Sequence, residues 1–284
     1  MLGLLGDEWT LLIVQQALLG ARRYSDFAVA LPISNTVLTG RLQSLAADEL
    51  LNRRQYQSNP PRSEYLVTAK SRSLWPMLTS IWEWERRWVP DHSQELPGMR
   101  HQVCGADFAP QVTCTGCSAV ASEKDVVAQW GPSGSWVRSI PSTTNRRRSG
   151  DRRRGAGLLF PQTMSVIGDR WAFALLVAAF VGVARFTDFQ SQLGAPPGTI
   201  ADRLPVVTAE GTLVGTDGRD RLTAKGRAFF PVLVTALQWA QRWYPDPEGP
   251  AVILTHTGCG RRFSPGLVCD QCAAPLRGDQ VIAV

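Results

Sequence analysis

Apolar residues near the start of the chain recur at helical spacing and predict a first helix over residues 4–19, ended by Gly20. A shorter helix is predicted over Tyr24–Ala30, with Ser25 as its N-cap, before Pro32 interrupts the pattern. Two helices separated by a short turn are therefore expected in the first thirty residues.

A third helix is predicted to begin after Ser34, which is a suitable N-cap. Leu38, Leu42 and Leu45 form one apolar stripe along it. The opposite face carries short side chains that form hydrogen bonds, where an ordinary surface helix more often has Glu and Lys. These polar residues are Asn35, Thr36, Thr39 and Gln43.

Two strand-like runs follow in RRQYQSNPPRSEYLVT, around a proline-rich turn that brings Arg53, Arg54 and Arg62 together. A last helix is predicted over residues 71–88, and its tryptophans are expected to pack in the core. Three helices, a basic hairpin and a helix are the order of a winged helix-turn-helix. That fold places its third helix in the major groove of DNA and its hairpin near the backbone or minor groove.

The whole pattern occurs twice. GDEWTLLIVQQALLGARRYSDF, beginning at Gly6, matches GDRWAFALLVAAFVGVARFTDF, beginning at Gly168. A later match, around Thr68 and Thr223, has a slightly smaller offset, so the second hairpin is shorter. We therefore expect a tandem duplication of mainly α domains with small β-hairpins. The predicted parts are a winged-helix domain (1–90), a tail (98–120), a linker (121–157), a divergent winged-helix domain (158–245) and a second tail (252–277).

Each tail contains one copy of H-x2-C-x9-C-x2-C, and the two copies hold all six cysteines. Two short pairs of N and S ligands are typical of structural Zn²⁺, and a full set of four leaves no open position for catalysis. We expect one structural zinc in each tail, with free or disulfide-bonded cysteines as the alternative. The predicted ligands are His101, Cys104, Cys114 and Cys117 for one ion, and His256, Cys259, Cys269 and Cys272 for the other.

The linker holds eight basic and three acidic residues, which is most of the chain's excess charge of +6. Its Gly, Ser, Pro and Arg content predicts a flexible spacer, although its arginines could also coat DNA phosphates. The arginines concerned are Arg146, Arg147, Arg148, Arg152, Arg153 and Arg154.

No secretory signal is recognisable near the start, and the longest apolar run, in residues 172–184, is too short to span a bilayer. A cytoplasmic protein is expected, where paired cysteines favour metal over disulfides. The third histidine, His92, follows the last helix and is expected to be exposed. Phosphate-binding and nucleophile motifs are lacking, so an enzyme is not expected.

Three segments of the first copy resemble the HxlR group of winged-helix regulators, which are relatives of the MarR type: GDEWTLLIVQQALLGARRYSDF, LPISNTVLTGRLQSLAADELL and PPRSEYLVTAKSRSLWPML. The resemblance covers about residues 2–90, and residues 160–245 resemble the group less closely. It implies a bacterial DNA-binding regulator that is usually dimeric through its terminal helices. The tails and the linker lie outside that resemblance.

In the first copy, the polar helix face is expected to meet base edges and the hairpin arginines to meet phosphates or the minor groove. A merely solvated face is the alternative, and Arg41 could form a structural ion pair because Arg203 recurs at its position. The predicted DNA-binding residues are Ser34, Asn35, Thr36, Thr39, Arg41, Gln43, Arg53, Arg54 and Arg62.

The second copy has Pro205 at the position of Gln43, inside a helix, where proline removes a backbone donor. Its hairpin carries Asp217 and Asp220, which DNA phosphate would repel. We therefore expect the first copy to read double-stranded DNA and the second to be its pseudo-dimer partner, unless two chains form a homodimer. The alternatives are a zinc- or redox-responsive regulator and a zinc-braced protein-interaction adaptor without DNA binding. The sequence leaves any small-molecule effector unknown.

Overall fold

In the part of the first unit that the structure describes, there are five helices and one antiparallel hairpin. The computed structural model describes residues 8–90, 92, 96–139 and 160–284. The elements of the first unit are α1 (Glu8–Leu18), α2 (Tyr24–Ala30), α3 (Asn35–Ala47), β1 (Leu51–Gln57), β2 (Arg62–Val67), α4 (Ala69–Arg72) and α5 (Trp75–Trp88). Gly20, with a φ of 109°, follows the end of α1 as predicted.

The predicted bounds of α2 are confirmed, but the predicted N-cap is wrong. The cap residue is Arg23, and Ser25 lies within the first turn. The Asp26 carboxylate accepts hydrogen bonds from the backbone amides of Arg22 and Arg23, at 2.9 and 2.8 Å. These bonds fix the entry of the chain into α2, and they hold the pKa of Asp26 below its ordinary value.

Helix α3 follows the predicted pattern closely. The Ser34 hydroxyl accepts a hydrogen bond from the Val37 amide at 3.4 Å and caps the helix. Leu38, Leu42 and Leu45 are buried against α1 and the hairpin. The opposite, polar face of α3 therefore remains turned to solvent.

The predicted helix over residues 71–88 is two helices. Thr68 caps α4 by accepting the Ser71 amide, and its hydroxyl donates to the Glu49 carbonyl at 2.8 Å. Helix α5 then starts afresh with Pro76 in its first turn, where a missing backbone donor costs nothing. The break allows α4 to close the base of the hairpin while α5 runs on towards the second half of the chain.

The first tail continues well beyond its predicted end at residue 120. It consists of β3 (Met99–His101), β4 (Pro110–Cys114), a 3₁₀ turn (Glu123–Asp125), β5 (Val126–Trp130) and a short helix, α6 (Trp136–Ser139). The prediction of a flexible linker over 121–157 is therefore wrong as far as residue 139. The six linker arginines lie outside the described residues.

Among the described residues, the second unit repeats the order of elements of the first, and the helix α7 precedes them. Its elements are α7 (Pro161–Ile167), α8 (Arg170–Phe180), α9 (Phe186–Leu193), α10 (Pro197–Ala209), β6 (Leu213–Thr216), β7 (Arg219–Leu222), α11 (Ala224–Arg227) and α12 (Phe230–Trp243). Pro205 lies inside α10 without ending it. Asp217 and Gly218, both with positive φ, form the tight turn of the shorter hairpin.

The second tail interleaves with the first through three antiparallel strand pairs. Its elements are β8 (Val252–His256), β9 (Pro265–Cys269), a 3₁₀ turn (Gly278–Gln280) and β10 (Val281–Ala283). Strand β3 pairs with β10, β4 with β9 and β5 with β8. Each pair joins one strand of the first tail to one of the second, a long-range pattern that local sequence does not reveal.

The two winged units pack together along α5 and α12. The indole nitrogen of Trp84 donates to the Lys225 carbonyl at 3.0 Å, and that of Trp239 donates to the Lys70 carbonyl at 2.9 Å. Trp84 also lies edge-on against Phe229, with ring centroids 5.0 Å apart. One hydrophobic cluster holds residues from both units, so they share part of a core.

Within the described ranges, every helix falls short of the length and apolar character that crossing a membrane requires.

Candidate nucleic-acid interface and metal centres

The outward face of α3 presents the polar side chains that the sequence picks out. Ser34, Asn35, Thr36, Thr39 and Gln43 are all exposed. The Tyr24 hydroxyl of α2 lies 3.1 Å from both the carbonyl and the side-chain oxygen of Asn35, which holds the start of α3 against α2. A rigid helix with donors and acceptors facing outward can meet the base edges of a groove.

Arg41 differs from its neighbours because it is only half exposed and is engaged in an interaction within the chain. Its counterpart in the second unit, Arg203, forms an ion pair with Asp169, with Nε and Oδ2 3.0 Å apart. Asp7, the counterpart of Asp169, lies outside the described residues. These contacts favour the structural alternative for Arg41 over a DNA contact.

The arginines of the first hairpin are exposed, but they are held to different degrees. Arg53 Nε donates to the Ser63 hydroxyl at 3.2 Å across the strands. Arg54 Nε donates to the Glu64 carboxylate at 2.8 Å, so its charge is partly neutralised. Arg62 begins β2 at the tip of the hairpin and is exposed. Three cations against one anion leave this hairpin basic.

The corresponding surface of the second unit lacks these groups. Ala201 and Pro205 occupy the exposed positions that Thr39 and Gln43 occupy in the first unit. In the second hairpin, Arg219 and Arg221 are balanced by two aspartates. Burial raises the pKa of one of these, Asp220. The two units therefore share an order of elements but differ in the surface that they present.

The eight predicted metal ligands form two clusters, but the predicted grouping within each tail is wrong. Each cluster takes one ligand pair from each tail, and the ligand atoms within a cluster all lie within 4.8 Å of one another. Site A consists of His101, Cys104, Cys269 and Cys272, and site B consists of Cys114, Cys117, His256 and Cys259.

The spacing of the ligand atoms fits tetrahedral Zn²⁺. Typical Zn–S and Zn–N bonds place neighbouring ligand atoms about 3.8 Å apart for two sulfurs and about 3.5 Å apart for sulfur and nitrogen. In site A, His101 Nδ1 lies 3.5 Å from Cys104 Sγ and 3.4 Å from Cys272 Sγ. In site B, His256 Nδ1 lies 3.4 Å from Cys117 Sγ and 3.3 Å from Cys259 Sγ.

Tight turns set the ligand pairs. Gly105 and Gly260 follow the first cysteine of each tail with φ of 73° and 68°, a region that favours glycine. The Ala106 amide is directed at the Cys104 sulfur and lowers the pKa of that thiol. Backbone amides directed at a sulfur favour the thiolate, which is the form that binds metal.

The grouping follows from the pairing of β4 with β9. In this antiparallel pair Cys114 lies opposite Pro265, and Pro110 lies opposite Cys269. The two ligand pairs of one tail therefore lie at opposite ends of a strand, and each meets a ligand pair of the other tail. Sequence spacing could not reveal this, because two identical patterns offer the same ligands within a tail and between tails.

A buried carboxylate for which the sequence gives no signal lies beside the contact between the units. Glu85 of α5 has no exposed surface, and its Oε1 accepts the Thr163 amide of α7 at 2.6 Å. His92 Nε2 lies 3.5 Å from Glu85 Oε2, so the expectation of an exposed His92 is wrong. Burial raises the pKa of Glu85 above its ordinary value.

Comparisons with known proteins agree with the geometry of the first unit. Residues 4–93 match a family model described as HxlR-like helix-turn-helix. Two uncharacterized HTH-type transcriptional regulators, Rv3095 of Mycobacterium tuberculosis and Mb3122 of Mycobacterium bovis, are each 33% identical over 131 residues, covering 46% of this chain and 83% of the relative. The uncharacterized HTH-type transcriptional regulator YvaP of Bacillus subtilis is 37% identical over 87 residues, covering 30% of this chain and 81% of its own.

Among solved structures, PA1607, described as a candidate transcription factor, is 31% identical over 32% of this chain and 65% of that chain. The TM-score is 0.30, so the family assignment rests on the sequence matches and not on this superposition.

Proposed function

Because the chain belongs to the HxlR-like helix-turn-helix family, we propose that it is a transcription regulator that reads a specific DNA sequence through the first unit. The family and its regulator relatives indicate a non-enzymatic DNA-binding protein. Helix α3 would enter the major groove, and the basic hairpin would contact the flanking backbone or minor groove.

The observation that carries this proposal is the contrast between two otherwise similar surfaces. The exposed face of α3 offers Thr39 and Gln43, which can form hydrogen bonds, where α10 offers Ala201 and Pro205. Bases are distinguished by hydrogen bonds to their edges, so the first surface is suited to readout and the second is not.

We assign the second unit the part of a pseudo-dimer partner, arising by tandem duplication. The reciprocal bonds of Trp84 to Lys225 and Trp239 to Lys70 support this, because such exchange of equivalent contacts is the mark of a two-fold interface. The second unit would then hold α5 and the first tail in place without reading bases itself.

Structural zinc in sites A and B completes the proposal. Four N and S donors at tetrahedral spacing leave no position for a substrate or an activated water, so the ions would stabilise the tails. The tails share one small hydrophobic cluster with part of α12, and metal would reinforce it.

A second candidate is a regulator that responds to zinc or oxidants. Cys104, Cys117 and Cys272 are exposed, so their thiolates are open to chelators and oxidants. A structural zinc should resist micromolar chelator, whereas a sensing site should release its ion and change the DNA affinity.

The test of DNA reading is a mobility-shift titration on the intergenic DNA upstream of the coding gene, at several salt concentrations. Specific binding should weaken steeply with salt as phosphate contacts release counterions. Replacing Thr39 and Gln43 by alanine should remove the preference for this DNA over a scrambled fragment. Replacing Arg53 and Arg54 by alanine should abolish the shift.

The matched control replaces Arg219 and Arg221 of the second hairpin by alanine, which removes the same charge. This variant should bind as the wild type does. Equal losses from both hairpins would contradict the assignment of the first unit as the reader. No salt-sensitive specific band at all would favour the adaptor without DNA binding.

A further inference from the structure

We propose that each of two zinc ions is shared between the two tails, so that metal cross-links the two halves of the chain. This rests on zinc binding at sites A and B as proposed above and adds that each ion links one half of the chain to the other. Site A joins His101 and Cys104 of the first tail to Cys269 and Cys272 of the second. Site B joins the remaining pairs in the same manner.

Contacts within site A cross from tail to tail. Cys104 Sγ lies 3.9 Å from Cys269 Sγ, although the two residues are 165 positions apart in the chain. Cys272 Sγ lies 3.4 Å from His101 Nδ1, whose residues are 171 positions apart. His101 is buried, and its Nδ1 is the ring atom placed to bind metal, because it lies beside the Cys104 and Cys272 sulfurs while Nε2 has no hydrogen-bond partner among the described residues.

Site B repeats the arrangement with the tails exchanged. Cys117 Sγ of the first tail lies 3.4 Å from His256 Nδ1 of the second, and Cys259 Sγ lies 3.3 Å from the same nitrogen. The side chain of Arg261 adds a hydrogen bond between the tails, because its Nη1 donates to the Gly116 carbonyl at 2.9 Å.

An ion held within one tail is excluded by the extended strand between its two ligand pairs. Strand β4 runs from Pro110 to Cys114, and five extended residues span roughly 13 Å at about 3.3 Å per residue. Ligand atoms around one zinc lie within about 4 Å of each other. One tail would have to give up its pairing with β9 before it could close around a metal alone.

Shared ligation fixes both ends of the interleaved strands. Val126 lies opposite His256, and Val281 lies opposite His101. Each histidine therefore lies in a strand that pairs with a strand of the other tail. The cross-links therefore hold α5 and α12, which lead into the tails, at one separation. A long closed loop restricts the unfolded chain more than a short one does.

The experiment counts zinc in the intact, reduced chain by native mass spectrometry, using pairs of exposed cysteines. The wild type should hold two ions. Cys104→Ser/Cys272→Ser alters two tails but one site, so it should retain one ion. Cys104→Ser/Cys117→Ser alters one tail but two sites, so it should retain none.

The reverse pattern, with one ion kept by Cys104→Ser/Cys117→Ser and none by Cys104→Ser/Cys272→Ser, would overturn the shared ligation. A wild type without zinc would overturn zinc binding itself, and neither result bears on the DNA titration. The two variants carry the same number and type of changes, so each serves as the other's control.

A second measurement avoids variants that fold poorly. The metal-free wild type receives one equivalent of zinc, is treated with an alkylating reagent, and is mapped by peptide mass spectrometry. Protection should be correlated among Cys104, Cys269 and Cys272, and separately among Cys114, Cys117 and Cys259. Correlation among the three cysteines of one tail would contradict the proposal.

Discussion

At the scale of single residues, Glu85 is the least expected side chain in the structure. A carboxylate without exposed surface costs free energy unless it is paired, and this one has the Thr163 amide, the nearby His92 ring and the attraction of Lys225. Burial is the largest effect and raises its pKa. Protonation of Glu85 therefore contributes to the stability of the contact between α5 and α7.

This gives a pH-dependent prediction for Glu85→Gln, which keeps an acceptor for the Thr163 amide and removes the charge. A raised folded-state pKa contributes stability that is fully present below the unfolded value and is lost as pH rises through the folded one. Relative to the variant, the wild type should thus become less stable as pH rises from acidic towards neutral. Urea unfolding at a series of pH values measures the difference.

Glu83→Gln is the control, because it removes a carboxylate of the same helix that pairs with Arg86 at 2.9 Å. A constant difference between wild type and Glu85→Gln at every pH would contradict a raised pKa for Glu85.

At the scale of elements, the helices and hairpin of the first unit could be predicted because periodicity and caps act locally. Leu38, Leu42 and Leu45 are buried as their spacing predicts, and Ser34 caps α3. The break between α4 and α5 was missed because the apolar pattern runs across it. Only the partners of Thr68 in the preceding turn show why the chain changes direction there.

Helix α10 tolerates Pro205 in its interior, although proline there forfeits one backbone hydrogen bond and crowds the preceding turn. Pro205→Ala should therefore stabilise the second unit, by up to ~3 kcal/mol. Thermal unfolding followed by circular dichroism measures the gain. Pro197→Ala is the matched control, since Pro197 lies in the first turn of the same helix, where proline is well tolerated.

No stabilisation by Pro205→Ala would mean that the surroundings of α10 are adapted to the proline. The expected gain would also show that Pro205 destabilises α10, which would be unfavourable in a helix that reads bases.

At the scale of the whole molecule, the contact between the halves rests on equivalent residues that exchange bonds. Trp84→Phe and Trp239→Phe each remove one indole donor, to the Lys225 carbonyl and to the Lys70 carbonyl respectively, and the Lys70 carbonyl still accepts the Ser73 hydroxyl. Trp84→Phe should lower the free energy of unfolding by about 1–3 kcal/mol, and Trp239→Phe, whose carbonyl partner stays satisfied, by about 0.5–1.5 kcal/mol. Urea unfolding of the two variants, compared with the wild type, measures this.

The control is Trp130→Phe, since Trp130 is 42% exposed and lies away from that contact. Its effect should be within about 0.5 kcal/mol, as for most surface substitutions. If the Trp84 and Trp239 variants unfold at the same urea concentration as the wild type, these two hydrogen bonds do not contribute to stability.

The eight residues of the two candidate metal clusters could be predicted from the sequence, but their grouping could not. Duplicated motifs offer equal spacing within a tail and between tails, and only the pairing of β4 with β9 decides between them. The same long-range pairing turned residues 126–130, predicted as linker, into a strand against residues 252–256. A local sequence pattern cannot predict a strand pair when the partner strand lies in the other half of the chain.

The packing of α5 against α12 within one chain has a consequence for dosage. Two separate subunits associate according to their concentration, and the active fraction falls as they are diluted. Here the partner unit is tethered and its effective concentration is fixed by the chain. For the pseudo-dimer proposed above, occupancy of a binding site should then rise in simple proportion to the number of chains, even at a few copies per cell.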